Sequence, residues 1–119
     1  MYQNMEKTMN VVVLRGTLSS EPMEVTLPSG TNIMNWNVTT ETSDGKRSVP
    51  VQWVGPTKRV RDFAKGDDVV VLGAIRRRFF RSGGSTAART EVLASSVAKP
   101  TQAVAVSRLL ARARNDIEC

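Results

Sequence analysis

The densest chemistry in the sequence lies in one short run, Arg76-Arg77-Arg78-Phe79-Phe80-Arg81. Guanidinium groups bind phosphate oxygens, and flat rings offer faces on which bases stack. Together these are what holding a single nucleic-acid strand requires. Side chains alternate along a strand, so Arg76, Arg78 and Phe80 share one face while Arg77, Phe79 and Arg81 share the other. Val69, Val71, Gly73 and Ile75 fall in register with the second set, which assigns that set to the core and the first to a binding face. Phe79 is expected to pack. The competing reading is a solvated hairpin whose arginines bind nothing and whose phenylalanines fill a subunit contact.

A second basic pair, Lys46 and Arg47, sits at the hairpin turn Ser43-Asp44-Gly45-Lys46, placed either to reach over a ligand or to solvate the turn. Gln52, with Asn35 and Asn37, points outward from neighbouring strands, suited to hydrogen-bonding a ligand or to an intersubunit contact. Trp36 and Trp53 fall in register with Met34, Val38, Val49 and Val51 and are read as core. Lys58, Arg59 and Arg61 are read as solvent-facing.

Other chemistries have little to work with. The chain has no histidine and one cysteine, Cys119, and its eleven carboxylates are scattered, so neither an enzyme nor a metal or other cofactor is expected. Seventeen Lys+Arg give a net charge of +6, which favours polyanions: nucleic acid first, acidic membrane surface second. No apolar stretch approaches the roughly 20 residues of a membrane span. The first thirteen residues lack the apolar core of a secretory signal, so a cytoplasmic protein with no membrane partner and no small-molecule substrate is expected.

The elements that must position these residues are mostly strands. Val11 to Leu14 and Met23 to Leu27, broken by Gly16 and Pro22, read as one bent strand. Ile33 to Thr40 and Arg47 to Val54 alternate as the second and third. Thr57 reads as the N-cap of a short helix to Ala64, with Val60, Phe63 and Ala64 inward. A long fourth strand starts at Val69 and runs through the arginines, Ser82 to Ser85 form a flexible loop, and a fifth strand runs from about Ala87 to Val97. Five strands with one short helix between the third and fourth is the order of the all-β, five-stranded Greek-key OB-fold barrel. On this reading residues 1–8 are a flexible extension, 9–99 the OB-fold domain, and 100–119 a short tail, either an amphipathic helix or a frayed end. Trp36, Trp53, Val71 and Ile75 should be buried.

Several segments also resemble bacterial single-stranded-DNA-binding proteins. Met9 to Leu18 followed by Glu21-Pro22 is similar to that family's opening strand, and Asn35-x-Asn37-Val38-Thr39-Thr40 to its second. Val51-Gln52-Trp53-Val54-Gly55 is similar to its third. Lys65-Gly66-Asp67, Val69-x-Val71-x-Gly73-x-Ile75-Arg76 and Thr90-Glu91-Val92 continue the likeness, which covers residues 9–98. The departures are specific. Of the family's stacking positions only Phe80 is aromatic here, the others falling on Asp44, Ser48 and Val54, and the acidic tip that recruits other proteins has no counterpart in the tail.

The resemblance implies a homodimer or homotetramer that binds single-stranded DNA without sequence preference in replication, recombination or repair. Arg76, Arg78, Phe80, Arg81, Lys46, Arg47 and Gln52 would form the site. The polar rows Asn35/Asn37 and Ser48/Gln52 and the first strand are candidates for the subunit contact. Two alternatives stay open: an OB-fold adaptor similar to primosomal replication proteins, turned mainly toward protein partners, and an RNA-binding OB module.

Overall fold

The computed structural model describes residues 8–118, so the extension expected over residues 1–8 lies, apart from Thr8, outside the described residues, as does Cys119. Six strands and one helix follow in order: β1 (Val12–Leu18), β2 (Met23–Thr26), β3 (Asn32–Thr42), β4 (Gly45–Val54), β5 (Asp68–Ser82), β6 (Ser85–Ala98) and α1 (Ala103–Glu118). β3 to β6 are the second to fifth strands read from the sequence. β1 and β2 are the two halves of the first, and both lie antiparallel to β3.

Five of the strands close into a barrel, β1-β5-β6-β4-β3 and back to β1, with β4 and β6 its parallel pair. That order is consistent with an OB-fold. β1 closes it by changing partners: Val12 to Thr17 pair with β5, then Thr17 and Leu18 pair with Thr39 and Val38 of β3. The two strands can come that close at Gly16, where a Cβ would overlap the carbonyl oxygen of Thr39. The interior is filled by Leu18, Met34, Trp36, Val38, Val51, Val69, Val71 and Val92, with Val60 and Phe63 closing one end. Trp36 is 3% exposed and meets the Phe63 ring at 5.0 Å between centroids. Trp53 packs half-buried against the same core, so both tryptophans take the inner face, as the alternation requires.

Three expectations are corrected. The segment after β4 is not a helix: Thr57 to Phe63 make consecutive turns, with Val60 N–H donating to the Thr57 carbonyl. Seven residues between two Gly-bearing breaks are too few to nucleate a free-standing helix, and burial of Thr57, Val60 and Phe63 fixes the turns instead. Ala64 is exposed. The helix lies at the other end of the chain, where α1 seats Leu109 and Ala113 on Val70, Leu72 and Ala98 outside the barrel. Both faces of β5 are therefore buried at its start, and the face carrying the even-numbered residues is open only from Ala74 onward.

Ile75 is 53% exposed rather than buried. The β1–β5 ladder ends at Val12 and Gly73, after which the Asn10 side chain takes over: Nδ2 donates to the Ile75 carbonyl at 2.7 Å, and the Ile75 N–H donates to Oδ1 at 2.8 Å. Beyond that point β5 and β6 overhang the barrel as a two-stranded hairpin, with no third strand to cover Ile75.

The closure makes a direct prediction. Gly16→Ala forces β1 off β3, and urea unfolding should show a loss of about 1–3 kcal/mol, the usual cost of inserting volume where nothing can yield. A variant as stable as the parent would mean the barrel is not closed at this seam.

Candidate nucleic-acid interface

The overhanging hairpin turns on Gly83-Gly84 alone, with Ser82 paired to Ser85, which sets every pairing from there to Gly73 and Ala94. Arg76 thus stands opposite Glu91, and Arg78 opposite Arg89. Glu91 is 2% exposed, yet it is a carboxylate, and a buried charge persists only when paired and hydrogen-bonded. Arg76 donates to its Oε2 through both Nε and Nη2. Arg78 Nε stands 3.4 Å from Oε2, and Arg89 Nε 3.8 Å from Oε1. Burial alone would raise the Glu91 carboxyl, but the hydrogen bonds and charges of Arg76 and Arg78 outweigh it and hold the group below the usual carboxylate range.

The network extends sideways. Arg76 Nη2 also donates to Gln52 Oε1 at 2.6 Å, and Gln52 Nε2 donates to Asn35 Oδ1 at 3.1 Å. A continuous polar row therefore crosses β3, β4, β6 and β5 on the outer face. Three arginines answer one carboxylate, leaving the cluster at +2 with guanidinium edges at the surface. Arg76 keeps 34% of its side chain exposed, and Arg78 and Arg89 keep somewhat more.

The expected site residues divide between different surfaces. Gln52, Arg76 and Arg78 come together, but Gln52 is buried and both ends of its amide are occupied, so it positions Arg76 rather than facing a ligand. Phe80 follows on the same face, 38% exposed, with the Arg78 guanidinium 5.6 Å from its ring centre. Arg81 lies near the hairpin tip on the opposite face and joins no ion pair among the described residues. Phe79, expected to pack, is 65% exposed because its face of the hairpin has no partner layer; the Arg77 guanidinium lies 5.5 Å from its ring centre.

Arg47 does not join the Glu91 ion pairs among the described residues. It lines an apolar hollow of about 220 Å³ at the barrel mouth with Val12, Leu14, Val49 and Ile75, which Glu91 also borders. Lys46 lies at the β1–β3 seam, 3.8 Å from exposed Glu41, a pairing worth little in water.

No family model matches the chain, and no curated protein matches it. What this face can bind rests on its chemistry. Among the described residues there is no group of three or more His, Cys, Asp or Glu side chains able to hold a metal, and no helix long and apolar enough to cross a membrane. Arg89 was missed by the sequence reading. Its signal was the Gly83-Gly84 pair, since a two-residue turn there places Arg89 across from Arg78.

Glu91→Gln should destabilise the fold at neutral pH by about 1.5–3 kcal/mol, the range for hydrogen bonds to a charged group. Because the folded carboxyl is held low, the parent's advantage is fully present above the unfolded value of about 4.3 and disappears as pH falls through the folded value. Urea midpoints of the two proteins should therefore converge on acidification. Midpoints that stay equally far apart at all pH values would show that the carboxylate charge is not what holds the arginines.

Proposed function

We propose that the chain binds single-stranded DNA without regard to sequence, along the outer face of β4, β6 and β5 and onto the overhanging hairpin. The observation that carries this reading is the trio Arg76, Arg78 and Arg89, fixed by one buried carboxylate beside an exposed Phe80. Guanidiniums held in place lose little freedom on meeting a phosphate, and their fork matches its oxygens. The ring beside them supplies a stacking surface that any base can use. Residues 76–91 hold five arginines against one glutamate, so a net +4 of the chain's +6 lies on this hairpin. A cytoplasmic homodimer or homotetramer acting in replication, recombination or repair follows from the motif resemblance and belongs to the same proposal.

Affinity for labelled oligo-dT should fall with salt, at about −0.7 in log–log slope for each phosphate neutralised. Phe80→Ala should weaken binding by about 1–3 kcal/mol and leave that slope unchanged. Arg89→Gln, which leaves Glu91 its closer partners Arg76 and Arg78, should flatten it by about 0.7. Arg76 is the wrong residue to remove first, because its loss strands Glu91. Oligo-rU bound more tightly than oligo-dT would favour an RNA module. Binding indifferent to salt and to Phe80→Ala would overturn the site.

A further inference from the structure

A second basic surface lies further along β6. A groove of about 440 Å³ separates α1 from the turns that follow β4. Its walls bring together cations that are far apart in the sequence: Arg59 from the turns, Lys99 just past β6, and Arg108 and Arg112 from α1. The two helical arginines are four residues apart and share one face. Only one carboxylate, Asp62, lines the groove, leaving four cations against one anion, a net +3. None of the four cations joins an ion pair among the described residues.

The floor is polar and partly aromatic. At the irregularity in β6, Leu72 pairs with Ser96 and Gly73 with Ala94, which leaves Ser95 as an extra residue, and both serines line the groove. Trp53 also lines it, its ring held by an indole N–H that donates to the Pro56 carbonyl at 2.8 Å. Lys99 is steered by the Asp62 carbonyl, 3.4 Å from Nζ, and by the Phe63 ring, 5.4 Å away. A concave surface lined by one sign of charge concentrates its field, and like charges held together are relieved by an anion.

We infer that this groove is a second phosphate-binding track, which takes the backbone of a nucleic-acid strand as it leaves the hairpin face; the inference rests on the single-strand reading above. β6 joins the two places. Glu91 and Ser96 are five residues apart, about 17 Å along a strand, so a single extended chain of phosphates spans both. The hairpin supplies rings for bases, while the groove, with its cations and hydroxyls, supplies phosphate contacts.

Trp53 reports on the groove, since Trp36 is sealed in the core. Titrating the full chain with inorganic tripolyphosphate should change the indole emission of the parent and not that of Arg108→Glu/Arg112→Glu. The same double variant should show a salt slope for long oligo-dT flatter by about 1.4, two phosphate contacts at about 0.7 each. Arg59→Gln/Lys99→Gln, from the opposite wall, should repeat both results without touching the helix. Emission indifferent to tripolyphosphate, or parental salt slopes in both variants, would overturn the track while leaving the hairpin site standing. A parent that ignores oligo-dT yet responds to tripolyphosphate would instead overturn the single-strand reading, and the strand track with it.

Discussion

β1 has to satisfy two neighbours at once, bonding β5 along most of its length and β3 at its last two residues, and the barrel exists only because it can. The demand is steric before it is energetic. At Gly16 the two partner strands are so close that a side chain would meet the Thr39 carbonyl, and at Gly73 one would meet the Leu93 carbonyl. Once the chain closes there, a core built from short β-branched residues and Trp36 is sealed on all sides. Everything beyond Gly73 on β5 is then left outside the closed part, which makes the hairpin an overhang.

The overhang explains why a buried carboxylate sits so near the surface. A two-stranded ribbon has no second layer to bury residues against, so its outer face is ordered by side chains that pair with one another. Glu91 does this by gathering Arg76, Arg78 and Arg89, and Gln52 ties the group to the barrel. The same arrangement keeps like charges together at the surface, where their mutual repulsion is tolerated because the shared anion lies beneath them. Stability and a basic surface thus come from one set of contacts. Elsewhere Glu24 accepts from Thr57 and Arg61 and so clamps β2 onto the turns after β4.

Much of this was legible residue by residue. The alternation Met34, Trp36, Val38 and Val49, Val51, Trp53 placed the core face of β3 and β4, and the Asp44-Gly45 pair placed their turn. The even-numbered face of Arg76, Arg78 and Phe80 was legible for the same reason. Glu91 as the hub was not, because its register depends on whether the hairpin turns on two residues or four. Ile75 misled because an apolar residue in register with Val69 and Val71 is buried only where a third strand still runs alongside. The helix misplaced to Thr57–Ala64 failed on length, whereas the sixteen residues of α1 carry enough apolar positions to dock.

The sequence by itself determined the local terms: which faces of the strands are apolar, where glycine permits a turn, that the charge is strongly positive, and that histidine and paired cysteine chemistry is absent. These follow from side-chain period and composition, which need no partner to be read. Tertiary structure alone decided which cations meet. Arg59, Lys99, Arg108 and Arg112 share a groove, and Arg47 lines the barrel mouth, because strand order and the seat of α1 set those distances. A charge acts over a few ångströms through space, and the chain's own order says little about which residues closure will bring within that range.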